Sequence, residues 1–306
     1  LALYHQQLDT QTLCGLMNLV NILLALLMVG AAIFGVVFFK DYRAAKKKGE
    51  LEVKGSAITI SLTGFFVCFF DTLSLGGFAP MTAIFKHFHL VKDRIIPGTL
   101  NTAMCIPIIA EALIFIKEVS VDMTTLISML VAAVLGATVG AGIVAKMDEK
   151  KVQLGMAAAL GAVLIIMFAG KLGALPSGGD AIGLTGTKLM MAVVGNFVLG
   201  ALMTLGIGLY APCLALVCAL GLSPLAAFPI MMGSCAFLMP VAGIRFIKKG
   251  AYNRRCTLII TISGVCGVII AAYIVKSLPL NVLTWMVMGV ISYTAIKLFL
   301  SSRDKS

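Results

Sequence analysis

Asp71 and Glu111 are the ionisable side chains set well inside long apolar runs of this chain. A charged group at mid-membrane costs about 2.5–3.5 kcal/mol on insertion scales, so such residues mark proton relays and substrate paths. Both are therefore candidates for proton coupling. Asp71 opens the run Asp71-Thr72-Leu73-Ser74-Leu75-Gly76-Gly77-Phe78-Ala79-Pro80, and a second run reads Thr204-Leu205-Gly206-Ile207-Gly208-Leu209-Tyr210-Ala211-Pro212. Each is a glycine-rich break inside an apolar segment. Glycine frees the backbone, and proline suits a first helical turn because its missing N–H would lack a partner there. The pattern predicts helix N-termini at Pro80 and Pro212. Unpaired N–H groups and the helix dipole attract anions without any buried Lys or Arg.

Polar side chains gather at the same places. Thr72, Ser74, Gly76 and Gly77 belong to the first break, and Thr204, Gly206, Gly208 and Tyr210 to the second. A Pro-led segment follows each, from Pro97 with Asn101 and Thr102, and from Pro229 with Ser234. Hydroxyls and amides can donate to anionic oxygens without fixed charge. The plainer alternatives are that Gly and Pro shape helix packing, that Thr and Ser bond back to their own helices, and that Asp71 caps the break. Glu111, six residues before Lys117, is expected nearer an interface.

The two breaks are copies of one element. Phe65, Thr72, Leu73, Gly76, Ala79, Pro80, Ala83, Leu90 and Pro97 recur 132 residues later as Phe197, Thr204, Leu205, Gly208, Ala211, Pro212, Ala215, Leu222 and Pro229. The similarity continues weakly at a shift of 131, with Gly142 through Phe168 laid on Tyr273 through Phe299. A duplicated, interrupted hydrophobic element points to the binding site of a secondary transporter.

Composition sets the solvent. The chain is 60% hydrophobic and 12% charged, with mean hydropathy +1.06. A soluble domain carries roughly twice that charged fraction. Long runs rich in Leu, Ala, Met and Gly predict membrane-spanning helices rather than a barrel. The net charge of +11 reads as basic loops on one membrane face, with no nucleic-acid partner. The eight cysteines lie mostly in apolar runs without C-x-x-C spacing, and His5, His87 and His89 fall in loops, so no metal or cofactor is expected.

Nine apolar segments can be marked, at about 13–39, 57–85, 95–116, 122–145, 152–170, 189–219, 226–244, 257–275 and 281–298. Lys and Arg cluster at 40–54, 86–94, 146–151, 245–255 and the C-terminal end. If 57–85 and 189–219 both re-enter, 20 of the 24 basic residues share one side; if both span, 17 do. The positive-inside rule then predicts seven spanning helices and two re-entrant hairpins, with the C-terminus cytoplasmic in the inner membrane of a cell. Three crossings separate the hairpins, so they enter from opposite faces as an inverted repeat. The expected organisation is a peripheral helix and basic loop over 1–56, a first repeat over 57–170 and a second over 171–306. The first helix lies outside the duplication and is expected to be peripheral or a homodimer contact.

The two break sequences, with Arg94-Ile95-Ile96-Pro97-Gly98-Thr99-Leu100-Asn101 and Leu220-Gly221-Leu222-Ser223-Pro224, resemble the sulfite exporter TauE/SafE permease family over roughly residues 57–300. The resemblance implies transport of small sulfur-containing anions such as sulfite, sulfoacetate or other organosulfonates. The first break has only one Gly pair and the second only G-x-G, short of the family's most glycine-rich pattern. The leading expectation is a secondary carrier for a small anion in the lipid bilayer, and the alternative is a passive anion channel of the same architecture. No Ser/His pair, paired acidic motif or P-loop suggests an enzyme or a self-powered pump.

Overall fold

A computed structural model describes residues 2–51, 55–72, 76–115, 121–174, 179–206 and 208–274, with Ser292, Ile296, Phe299 and Leu300. Ser74 and, apart from Ser292 and Ile296, the segment 281–298 lie outside the described residues. The protein is an all-α polytopic membrane protein. Among the described residues, six helices are long and apolar enough to cross a membrane.

Helix α1 (Ala2–Lys48) packs one stripe, with Leu27, Phe34 and Phe38, on the rest of the protein. Its opposite stripe, with Leu26, Val29, Ile33 and Val36, is exposed. An apolar face turned outward is stable only against lipid or another apolar surface, which makes α1 peripheral. Asp41 ties its basic end to the core by accepting from the Tyr252 hydroxyl at 2.5 Å and the Arg254 guanidinium at 2.7 Å.

The first broken segment is α2 (Ala57–Asp71) followed by α3 (Phe78–His87). Fifteen helical residues rise about 22 Å, yet Gly55 before α2 lies against Leu90 after α3, where an added Cβ would stand 2.7 Å from Leu90 Cδ2. The segment therefore returns to the face it left. The second is α8 (Gly186–Met203) followed by α9 (Tyr210–Ala219). Its ends meet too: Ala181 bridges Leu222, Ser223 N–H donates to Ala181 O at 2.8 Å, and Gly179 N–H donates to Leu222 O at 3.2 Å. Helix α8 is long enough to span but turns back through α9.

The mouths open on opposite faces, and α6 (Met123–Val144) measures the distance between them. It starts beside the second mouth, where Asp122 N–H donates to Ile182 O at 2.8 Å and Thr125 Oγ1 accepts from Leu184 N at 2.9 Å. Twenty-two residues, about 33 Å of helix, carry it to the turn before α7 (Glu149–Lys171). There Gln153 Nε2 donates to Asp93 Oδ2 at 2.7 Å, and Asp93 pairs with Lys86 at the end of α3. Asp93 begins the next crossing, a 3-10 turn (Asp93–Ile95) running into α4 (Ile96–Ala103) and α5 (Cys105–Phe115). Helix α10 (Pro224–Lys248) and α11 (Arg254–Ile274) complete the described crossings. Pro97 does lie in the first turn of α4, whereas Pro229 is interior to α10, which starts at Pro224 with Ser223 Oγ accepting from Ala226 N at 3.2 Å.

The repeats interlock. The most extensive interfaces join α2 to α11 and α8 to α6, so each hairpin docks on a helix of the other repeat. Glycine permits the approach. A Cβ on Gly136 would stand 1.9 Å from Phe197 O, and one on Gly267 would stand 2.3 Å from Phe65 O. Phe65 and Phe197 are a repeat pair, and Gly136 and Gly267 are 131 residues apart, so the two close contacts are pseudo-symmetric copies. Small residues at such crossings let backbones pack where lipid offers no hydrophobic drive.

Candidate functional site

The tips of the two hairpins meet. One cavity is lined by Asp71, Gly76, Gly77 and Phe78 from the first, by Met203, Gly208, Leu209 and Tyr210 from the second, and by Ile108 and Cys235. It has room for about one water molecule. None of these lining residues is basic.

Glu111 joins the tips. Thr72 Oγ1 donates to Glu111 Oε1 at 3.1 Å, and Tyr210 OH donates to Glu111 Oε2 at 3.0 Å. One carboxyl on α5 thus binds the first break through one oxygen and the second through the other. Glu111 is fully buried within the protein. Its place near the end of α5 is covered because both tips converge there.

Asp71 is 2% exposed and closes the first break on itself. Its Oδ1 accepts from Gly77 N–H at 2.6 Å, satisfying a free donor at the start of α3, while Oδ2 has no partner. Helix α3 begins at Phe78 and α9 at Tyr210, so Pro80 and Pro212 are each the third helical residue rather than the first. At the tips, Gly76 with φ +79° and Gly206 with φ +101° hold the left-handed backbone that favours glycine. Gly208 does not, and a Cβ there would meet nothing within 4 Å.

The other expected site residues are distributed around this centre. Thr72, Gly76, Gly77, Gly208 and Tyr210 are at the cavity or bonded into it. Thr204 Oγ1 donates to Ala201 O at 2.7 Å and faces Gly140 of α6. Thr102 turns to α11, where its hydroxyl and that of Thr257 lie 2.8 Å apart. Asn101 Nδ2 donates to Pro97 O at 2.9 Å, and its Oδ1 is buried without a partner. Ser234 Oγ accepts from Asn196 Nδ2 at 2.9 Å, and the same amide donates to Met129 O at 2.8 Å. Pro80, Gly206 and Pro212 support the tips without lining the cavity.

Sequence reasoning missed Asn196, Ile108, Met203, Leu209 and Cys235. Asn196 was visible as an amide within an apolar run; the apolar four carried no signal. On the face of the first mouth, Arg94, Lys146 and Lys151, with Asp148 and Glu149, line an open basin of about 650 Å³. Asp148 caps α7 by accepting from Lys151 N–H at 2.8 Å, and that bond with the Lys151 ammonium holds its carboxyl below the ordinary range.

Fold and site define a polytopic helical membrane protein with two opposed re-entrant hairpins joined at a buried carboxyl. No protein-family model, curated protein or solved structure matches the chain.

Proposed function

We propose that this protein is a secondary carrier for a small anion, with sulfite or an organosulfonate such as sulfoacetate as the class suggested by the family resemblance. One observation carries the reading: two hairpins entering from opposite faces end on the same carboxyl, Glu111, beside a small cavity. A carrier needs one central site and two gates that do not open together. Releasing Thr72 from Glu111 frees the first tip, and releasing Tyr210 frees the second. The cavity in this form is too small for an oxyanion, as suits a carrier between loading steps.

Asp71 is the coupling group. Asp71 lines the cavity with its Oδ2 unpartnered, and a proton there offsets the charge of an anion crossing a low-dielectric core. The basic clusters of four segments share the face of the first mouth, which the positive-inside rule makes cytoplasmic. Cations around the basin there raise the local anion concentration at that mouth.

The test is flux in proteoliposomes with labelled sulfite, sulfoacetate, sulfate and thiosulfate, with and without a pH gradient. Saturable accumulation driven by the gradient supports the carrier. Flux that saturates weakly and needs no gradient favours the passive channel, and absence of flux for all four anions removes this reading.

A further inference from the structure

We propose that the protein binds a single anion, seated at the N-terminus of α9, and that Asp71 fills the pseudo-symmetric seat at α3. This rests on the reading of the cavity as the site of an anion carrier. Two facing helix ends would suggest two equivalent seats, but the chain breaks the symmetry. At the first, Asp71 Oδ1 already accepts from Gly77 N–H at 2.6 Å, so the protein's own carboxyl sits where an anion would. At the second, the residue 132 positions on is Met203, which lines the cavity and offers no comparable acceptor. The N-cap residue of α9 is Leu209, whose side chain has no acceptor to offer the first turn. Gly208 borders open space at this tip, as its repeat counterpart Gly76 does at the first, so the seats differ in their acceptors and not in the room at the glycine.

A second observation marks the same space. Asp71 lines the cavity, and its Oδ2 is buried without a partner. In the acid form this oxygen donates an O–H into the cavity; in the carboxylate form it repels an anion. The titratable groups around it are Glu111 on α5, Tyr210 on α9, Cys235 on α10 and Cys68 on its own helix, none of them basic. The ligand class is therefore a small oxyanion with at least two acceptor oxygens. One faces the N–H groups at the start of α9, and another accepts the Asp71 proton. Anion and proton travel together, and no covalent bond changes.

The test is isothermal titration of detergent-purified protein with sodium sulfite at fixed pH, repeated with sulfoacetate, sulfate and thiosulfate. The expected stoichiometry is one per chain. Met203→Asp places a carboxyl at the second seat and should weaken binding about 100-fold, since like charges in such a site cost several kcal/mol. Gly208→Ala adds a methyl without backbone strain and should weaken binding about tenfold or more; it decides the matter if Met203→Asp does not fold. Two anions per chain, or Met203→Asp and Gly208→Ala both binding like the parent, would overturn the inference. If the parent binds none of the four anions, the anion reading of the cavity falls and takes this inference with it.

Discussion

Replacing Glu111 separates its bridging role from its charge. In Glu111→Gln the bridge can be rebuilt: Tyr210 donates to the amide oxygen, and the amide NH₂ donates to Thr72 Oγ1. The Thr72 proton then turns to Cys68 O, 2.8 Å away. Every group is satisfied, so the hairpins should stay joined. In Glu111→Ala nothing replaces the carboxyl. Tyr210, 6% exposed, keeps a buried hydroxyl without its acceptor, a loss of about 1–3 kcal/mol. The vacated space of roughly 50 Å³ adds about 1 kcal/mol. Together the closed state loses ~2–4 kcal/mol, and at about 1.4 kcal/mol per decade the open fraction rises roughly 30- to 700-fold. Cys235 is 1% exposed and lines the cavity, so its thiol reports the opening. In a variant with Cys235 as its sole cysteine, a membrane-permeant maleimide should label Glu111→Ala at least thirtyfold faster than the parent. Glu111→Gln should label within about threefold of the parent. Equal labelling of all three proteins would refute the bridge.

Gly136→Leu and Gly267→Leu should each sharply reduce the monodisperse yield on fluorescence-detected size exclusion, because the new Cβ meets the carbonyls of Phe197 and Phe65; normal yields would contradict the helix pairing. Asp71→Asn keeps an acceptor for Gly77 N–H and a donor toward the cavity, so it should bind the anion but lose gradient-driven accumulation in proteoliposomes. For Asp148, whose folded carboxyl titrates below its unfolded value, the stabilising cap is present above the unfolded pKa and is lost as pH falls through the lowered folded value. The protection of Lys151 N–H, its exchange rate relative to the intrinsic rate at the same pH, should therefore fall on acidification in the parent and already be low in Asp148→Ala.

The duplicated Gly/Pro breaks were legible because glycine geometry and proline placement leave a local signature, and the charge count separated return from crossing. The position of Glu111 was not legible. Its partners Thr72 and Tyr210 come from two hairpins elsewhere in the sequence, which no local pattern around Glu111 pairs with it. Thr204 sits at the same repeat phase as Thr72 but serves α6, because α6 packs closely through Gly140 on that side. Pro229 read as a helix start by analogy with Pro97; the Ser223-Pro224 pair was the true start, carrying both a cap and a first-turn proline. The exchange of hairpins between repeats depends on glycines 131 residues apart, which only a packed structure pairs with their phenylalanine partners.

The central claim is that both broken segments return to their own faces. It is tested most directly by membrane-impermeant maleimide on single-cysteine variants in sealed vesicles of known orientation. Ser56→Cys and His89→Cys flank the first hairpin, and Asp180→Cys and Ala219→Cys flank the second; all four sites are exposed. The account predicts that positions 56 and 89 label only from the cytoplasmic side and positions 180 and 219 only from the opposite side. Labelling of 56 and 89 from different sides, or of 180 and 219 from different sides, would show that the segment between them spans the membrane and would contradict it.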